Sequence, residues 1–321
     1  MLSSSMLTHA LALAGGLTLL VGAAHFLVRG ASSLALRLGL SPLVVGLTVV
    51  AFGTSAPELV VSVQAALAGA GGIAGGNVVG SNIANIGLIL GAAALVRPFL
   101  TDASVLRRDL PVLLAATGLG VGILFDRTVG RAEGAVLVVA LGAYLAWSVH
   151  EARRQSLDRR SEAAEPPATP AGSAWRDAVY VVLGLAGLVV GADLFLSGAV
   201  GLAEAAGVPN AVIGLTVVAL GTSLPELATS IVAAVRGESE IAVGNVVGSN
   251  LFNVLGILGV AALVRPIVAP GLQTVDLLVM TAFAAVLLPM MWSGRRLVRL
   301  EAALLAAGYV GYVGFLALAH S

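Results

Sequence analysis

Two short segments place a carboxylate among hydroxyl side chains inside otherwise apolar sequence. They read GTSAPE at 53–58 and GTSLPE at 221–226. Carboxylate, hydroxyl and carbonyl oxygens are the ligands of hard cations such as calcium, which takes about six to eight of them. Glu58 and Glu226 are therefore candidate central ligands of a cation site. The hydroxyl residues beside them are Thr54, Ser55, Thr222 and Ser223.

Each segment also contains a proline, which lacks the amide hydrogen of a helical residue and disfavours the usual bond to the preceding turn. We expect Pro57 and Pro225 to interrupt their helices. The freed carbonyls are expected near Ala51 and Gly53 in the first segment and near Ala219 and Gly221 in the second. Irregular backbone at membrane depth is tolerated only where it is buried in protein or lines a wet cavity. The interruptions therefore predict that backbone oxygens contribute to the site.

A second repeated motif reads GNVVGSNIANIG at 76–87 and GNVVGSNLFNVLG at 244–256. We expect it to form a second pair of interrupted helices. Asn77, Ser81 and Asn85 recur at helical spacing and share one face. That face, with its copy Asn245, Ser249 and Asn253, can complete the coordination shell opposite the glutamate-bearing helix. Asn82 and Asn250 point elsewhere and are expected to bond to other helices or to freed backbone.

The alternative is that these polar groups only hydrogen-bond neighbouring helices, as serine, threonine and asparagine often do in membrane bundles. That alternative is weakest for the glutamates, because each costs about 2.5–3.5 kcal/mol at a helix centre. Two such carboxylates held together repel unless a cation or protons lie between them. Their charges suit one divalent ion or, with neutral ligands, two or three monovalent ions.

The composition predicts an integral membrane protein. Hydrophobic residues make up 58% of the 321 residues and charged ones 11%, against about 25% charged in soluble domains. Mean hydropathy is +1.01, and 40 glycines suit closely packed transmembrane helices. The absence of cysteine excludes disulfides and thiolate metal sites. The lipid bilayer is the expected partner, and the balanced charge indicates no nucleic-acid partner.

An internal duplication spans both motifs. Residues 46–98 align without a gap with 214–266 at an offset of 168, and 35 of the 53 positions are identical. Apolar stretches predict ten helices, five in residues 1–150 and five in 176–321, around a flexible polar linker at 151–175. Because five is odd, the two copies must run in opposite directions across the membrane. Inverted repeats with broken helices are typical of secondary transporters, whose sites lie near the membrane midplane.

Arginine placement predicts the orientation, since cytoplasmic loops collect basic residues. The first apolar stretch lacks the basic region of a signal peptide and is expected to be a span of the mature protein. With the amino terminus outside the cell, fourteen arginines face the cytoplasm and three face outward. The sequence thus predicts a plasma or inner membrane protein with both termini outside and a cytoplasmic linker.

GLTVVAFGTSAPELVVS with GNVVGSNIANIG, repeated as GLTVVALGTSLPELATS with GNVVGSNLFNVLG, resembles the alpha-repeats of the cation/calcium antiporter superfamily. Within it, the chain resembles the prokaryotic sodium/calcium exchangers over essentially its whole length. The resemblance implies a core of the second, third, seventh and eighth helices, against which the first and sixth slide. It also implies Glu58 and Glu226 as central ligands. The other implied ligands are Thr54, Ser55, Thr222, Ser223, Ser81, Asn85, Ser249, Asn253 and the carbonyls of Ala51 and Ala219.

The sequence departs from that pattern at three places. Asn253 stands where some members, including potassium-dependent ones, carry aspartate, so potassium dependence is not expected. His25 stands where many relatives have an acidic residue, and the offset pairs it with Asp193 in the sixth helix. For both residues we weigh a proton or gating role against a packing role, in which His25 contacts Arg29, and favour packing. The large calcium-sensing domains of eukaryotic relatives are absent from the central loop.

The expected function is electrogenic exchange of sodium for calcium at one midplane site by alternating access. One alternative is proton/calcium exchange by the same fold, with the glutamates titrating. A second is a passive cation channel, which the single polar cluster disfavours. An enzyme is not expected, because the spans contain no nucleophile–base pair and no cofactor motif.

Overall fold

The computed structural model describes residues 4–100, 103–162, 173–207, 219–292 and 296–319, and its architecture is helical. The first half of the chain forms α1 Ser4–Leu38, α2 Pro42–Thr54, α3 Ala56–Leu67, α4 Gly71–Val96, α5 Leu110–Leu124 and α6 Arg131–Glu162. The second half forms α7 Ala174–Ala205, α8 Ala219–Gly221, α9 Leu224–Arg236, α10 Ser239–Val264, α11 Thr274–Trp292 and α12 Arg299–Ala319.

Seven helices in the described residues are long and apolar enough to cross a membrane. They are α1, α4, α6, α7, α10, α11 and α12. An eighth span results if α2 and α3, which meet at 46°, are counted together. The all-helical membrane class predicted from the composition is confirmed. Two of the ten expected helices do not pass this length test. The fourth corresponds to α5, which has 15 residues, and the seventh begins within residues 208–218, which lie outside the described part.

The proline-containing motifs break their helices as predicted. Ser55, between α2 and α3, has φ −82° and ψ 6°, and Ser223, before α9, has φ −88° and ψ 6°. Neither angle pair continues a helix. Pro57 and Pro225 occupy the first turn of the helix that follows, where a missing amide hydrogen costs nothing.

The second repeated motif does not break its helices, so that prediction is wrong. Both α4 and α10 run through it as single 26-residue spans. A wider π-helical turn replaces the expected interruption, at Asn85–Leu90 in α4 and at Phe252–Ile257 in α10. No proline is present in either stretch, and a π turn keeps backbone groups bonded while shifting the faces of the helix on either side.

The long helices α1 and α7 lie side by side in antiparallel directions. A Cβ on Gly16 would lie 2.3 Å from the Phe195 amide nitrogen, and one on Gly184 would lie 2.7 Å from that of Leu27. The residue numbers of the contacts increase along α1 while they decrease along α7, so the two helices are antiparallel. Glycine lets two helix backbones approach this closely.

Two short strand pairs tie the halves together. β1 (Phe99–Leu100) pairs antiparallel with β4 (Arg296–Leu297), and β2 (Thr128–Val129) pairs antiparallel with β3 (Ile267–Val268). Adding the repeat offset of 168 converts β1 into β3 and β2 into β4. Each pair therefore joins one strand from each half, and the two pairs are equivalent.

The expected linker at 151–175 is shorter than predicted. Helix α6 continues to Glu162, and α7 begins at Ala174. The run at 151–162 contains four arginines and two glutamates, which are good helix formers. Residues 163–172 of the predicted linker lie outside the described part.

Candidate cation-binding site

The two glutamates lie at equivalent places in the fold. Glu58 is in the first turn of α3, and Glu226 is in the first turn of α9. Their exposed fractions are 2% and 1%. The helix N-terminus carries partial positive charge that stabilises a carboxylate. The proline break therefore places each acidic side chain where a helix favours it.

Hydrogen bonds cross between the two halves at these carboxylates. The Ser55 hydroxyl donates to Glu226 Oε1 at 2.9 Å, and the Ser223 hydroxyl donates to Glu58 Oε1 at 3.1 Å. Each serine is the residue at which its own helix breaks. The crossing brings both breaks and both carboxylates into one buried cluster, as the sequence predicts.

The threonines of the two motifs lie in the same cluster. Thr54 is buried and donates to Asn245 Oδ1 at 3.0 Å, and it also lies within hydrogen-bonding reach of Glu226. Thr222 is half-buried and lies within reach of Glu58. The hydroxyl groups therefore surround the carboxylates from the opposite half of the chain.

The asparagine at the start of the second motif anchors the broken helix. Asn77 Nδ2 donates to the Glu58 carbonyl at 3.2 Å and to Ser62 Oγ at 2.9 Å. The equivalent bonds run from Asn245 to the Glu226 carbonyl at 3.4 Å and to Ser230 Oγ at 3.0 Å. These bonds fix the glutamate-bearing helices against α4 and α10. The asparagine amides are thus used for positioning.

The remaining predicted side-chain ligands are buried on α4 and α10. Ser81, Asn85, Ser249 and Asn253 have exposed fractions of 6%, 1%, 0% and 1%. The π turn beginning at Asn85 packs against α9, and the π turn containing Asn253 packs against α3. Each turn therefore contacts the glutamate-bearing helix of the opposite half.

Several buried polar atoms of this region have no hydrogen-bond partner among the described residues. They are Glu58 Oε2, Glu226 Oε2, Asn85 Oδ1, Ser249 Oγ, Asn253 Oδ1 and Asn253 Nδ2. A buried polar atom without a partner costs about 1–3 kcal/mol, and more when charged. Oxygen predominates in the set, which is the donor chemistry that sodium and calcium require.

The carbonyl oxygens differ from expectation in the first half. Pro57 removes an amide donor from the Gly53 carbonyl, but the Ala51 carbonyl is not freed. It accepts from the Ser55 amide at 3.0 Å and from the Thr54 hydroxyl at 3.3 Å. In the second half the Ser223 amide donates to Leu220 at 3.2 Å. At the offset of 168, the equivalent acceptor would be the carbonyl of Ala219, so the second half uses the carbonyl one residue later. The side chain of Ala219 lies outside the described part.

A sequence model of the Sodium/calcium exchanger protein family matches residues 8–150 and 177–318. The chain belongs to the sodium/calcium exchanger family. This is a family of membrane transporters and not an enzyme class. The resemblance read from the repeated motifs is thereby confirmed.

Relatives of the exchanger family match nearly the full chain. The chain is 41% identical to the Putative antiporter CaxA of Alkalimonas amylolytica over 92% of its length and 95% of that protein. It is 36% identical to the sodium/calcium exchanger MaX1 of Methanosarcina acetivorans, over 93% and 95%. The structure superposes on the sodium-calcium exchanger NCX_Mj with a TM-score of 0.83 at 32% identity, covering 95% of this chain and 97% of that one.

Other sequence expectations for this exchanger need correction. Asn82 and Asn250 donate to the carbonyls of Val78 and Val246 in their own helices, each at 2.7 Å. They therefore bond to intact helical turns instead of to freed backbone. Ser62 and Ser230, the partners of the anchoring asparagines, were not among the predicted site residues. The shared offset of 168 is the signal that would have found them.

His25 and Asp193, the two ionisable residues for which a gating role was weighed against packing, are both exposed. His25 lies on α1, where its Nε2 is 2.6 Å from Nη1 of Arg236, so its contact partner is Arg236 and not Arg29. Asp193 lies exposed on α7. Neither residue contacts the buried carboxylates in the described structure.

Proposed function

We propose that this protein exchanges sodium for calcium across the membrane by alternating access at one site near the midplane. The crossed serine–glutamate pairs carry the proposal. They gather two buried carboxylates, one from each repeat, whose Oε2 atoms have no partner among the described residues. Such a pair is stable only with compensating positive charge. Calcium and sodium are the transported ions, and no cofactor is involved.

Eleven residues are proposed to contribute ligands. They are Glu58, Glu226, Thr54, Ser55, Thr222, Ser223, Ser81, Asn85, Ser249, Asn253 and Ala219, the last through its carbonyl. Since Asn85 and Asn253 are both neutral, the site has two formal negative charges. One calcium ion balances them fully. Sodium ions compete for the same oxygens.

The proposed architecture has ten spans in two inverted repeats, residues 1–150 and 176–321, joined by a cytoplasmic segment. The antiparallel packing of α1 against α7 supports the inversion, since the two helices are equivalent in the duplication. The exchanged strand pairs support it independently. Both termini are proposed to lie outside the cell, because this orientation places fourteen of the seventeen arginines in the cytoplasm.

Obligatory exchange follows from the charge of the site. Moving two uncompensated carboxylates through an apolar gate is costly, so the transition occurs only with ions bound. A bound ion shifts the equilibrium between outward and inward states only by its different affinity for them. Hydroxyl groups around the carboxylates favour sodium over protons as the coupling ion.

The deciding experiment measures calcium uptake into proteoliposomes containing the full-length protein. One set of vesicles has a sodium gradient at equal pH, and a second set has a proton gradient without sodium. Uptake that requires internal sodium is the expected result. Uptake driven only by the proton gradient would assign the site to proton/calcium exchange. Conductance far above transporter turnover would indicate a channel.

A further inference from the structure

A groove on the outer surface of the helix bundle lies outside the cation site. It is lined by residues of the π-helical turn Val105–Asp109, the start of α5 and the middle of α6, and we name it the Arg107 groove. The lining residues that matter for binding are Arg107, Arg108, Pro111, Val112, Trp147 and Glu151. Its volume is about 510 Å³, which lies within the range of about 300–1,000 Å³ for small-molecule sites.

The two arginines of this groove have different surroundings. Arg108 forms a bidentate ion pair with buried Asp109, at 2.9 and 3.2 Å, and lies 5.7 Å from the centre of the Trp147 ring. Its charge is therefore compensated within the protein. Arg107 is exposed and has no acidic partner among the described residues. Glu151 also lines the groove, and its carboxylate attracts Arg108, as that of Asp109 does. The guanidinium of Arg107 is therefore the one available for an anionic ligand.

The duplication supplies an internal comparison. A second groove, of about 350 Å³, has Val275, Val279 and Phe315 among its seven lining residues. These three positions are the equivalents of Arg107, Pro111 and Trp147 at the offset of 168. The fold therefore produces a groove in each repeat, but only the first contains arginines and a tryptophan. The difference lies in the side chains and not in the packing of the helices.

We propose that the Arg107 groove binds the phosphate group of a membrane phospholipid. The guanidinium of Arg107 presents planar paired donors that match phosphate oxygens. Trp147 is the type of residue that lies at the level of lipid headgroups. The apolar surfaces of Pro111 and Val112 accommodate the start of an acyl chain. In the equivalent groove, Val275 and Phe315 offer no group for a phosphate.

Native mass spectrometry of the full-length protein in detergent, titrated with phosphatidylglycerol, tests the assignment. Arg107→Ala is expected to weaken lipid binding about fivefold, the effect of one arginine at a membrane surface. Arg153→Ala is the matched control, because Arg153 is an exposed arginine that does not line the groove. That control is expected to bind lipid like the unmodified protein.

Three outcomes would overturn the proposal. Equal losses in Arg107→Ala and Arg153→Ala would indicate general attraction of the basic surface for anionic lipid. Unchanged binding in both variants would exclude Arg107 as a ligand. Displacement of the lipid by millimolar inorganic phosphate or glycerol phosphate would assign the groove to a soluble anion. Persistence of the lipid under that competition is the result expected for a phospholipid.

Discussion

The buried carboxylates illustrate how residue chemistry sets the behaviour of this exchanger. Glu58 and Glu226 each place one oxygen on a serine of the opposite repeat, which leaves the other oxygen available for an ion. A serine hydroxyl donates a hydrogen bond but supplies no positive charge. The hydrogen bonds therefore orient the carboxylates without neutralising them. Neutralisation is left to the transported ions.

The charge of Glu58 is predicted to be essential for transport. Glu58→Gln keeps the size of the side chain and an oxygen that accepts from Ser223, but removes one negative charge. The Glu58 carboxylate and the calcium ion that it is proposed to bind are a buried pair of opposite charges. Loss of one member of such a pair costs about 3–5 kcal/mol, so calcium uptake in proteoliposomes is expected to fall at least about 100-fold. Glu204→Gln makes the same change at an exposed position and is expected to keep normal uptake. Normal uptake by both variants would refute the assignment.

The two anchoring asparagines are predicted to differ in strength. Asn245 is fully buried, bonds Ser230 and the Glu226 carbonyl, and accepts from Thr54. Asn77 is half-buried and makes the equivalent bonds to Ser62 and to the Glu58 carbonyl. Unpaired buried groups cost about 1–3 kcal/mol, so Asn245→Ala is expected to lower the thermal unfolding midpoint in detergent more than Asn77→Ala does. A larger effect at Asn77 would contradict this interpretation.

The types of ligand residue were predictable from the sequence, but the hydrogen bonds between them were not. The glutamates and Ser55 stand out because charge and hydroxyl groups interrupt apolar sequence. The role of Asn77 could not be read in this way, since its partners Glu58 and Ser62 lie nineteen and fifteen residues earlier. The Ala51 carbonyl was wrongly expected to be free, because proline removes only its own amide and leaves that of Ser55.

At the scale of elements, close packing of α1 and α7 depends on glycine. Gly16 and Gly15 are neighbours in α1, yet a Cβ on Gly16 would overlap the backbone at Phe195, whereas one on Gly15 would meet nothing within 4 Å. Gly16→Ala is therefore expected to destabilise the protein by about 1–3 kcal/mol through overpacking. Gly15→Ala is expected to be neutral or to stabilise by up to about 1 kcal/mol, through helix propensity.

The two glycine variants are compared by thermal unfolding, followed by tryptophan fluorescence. Equal midpoints would show that α1 and α7 do not pack as closely as the structure has them. If Gly16→Ala also slows calcium uptake while it remains folded, the contact between these helices contributes to the transport cycle. The same comparison for Gly15→Ala controls for changes in helix propensity.

Elements were predictable where a local signal is strong. Pro57 and Pro225 signal helix breaks because the chemistry of proline acts within one turn. In α4 and α10 the glycines and asparagines weaken the helix, but tertiary packing buries most of both helices and overrides local propensity. Composition alone likewise misplaced the end of α6, which extends through charged residues to Glu162.

At the scale of the molecule, the duplication reaches beyond the motifs that reveal it. Arg131 Nε donates to the Leu263 carbonyl at 3.2 Å, and Arg299 Nε donates to that of Leu95 at 3.2 Å. The offset of 168 converts Arg131 into Arg299 and Leu95 into Leu263, so the two bonds are equivalent, as the two strand pairs are. The clear sequence duplication ends at residue 98, whereas the contacts between the halves retain the equivalence beyond it.

The inverted arrangement predicts that equivalent positions face opposite sides of the membrane. Thr128 and Arg296 are exposed positions in β2 and β4, related by the offset of 168. Because the chain has no cysteine, Thr128→Cys and Arg296→Cys each introduce a single reactive thiol. With the amino terminus outside, a membrane-impermeant maleimide is expected to label Thr128→Cys in intact cells and Arg296→Cys only after permeabilisation. Labelling of both from the same side would refute the inversion, and exchange of the two patterns would reverse the orientation while leaving the inversion intact.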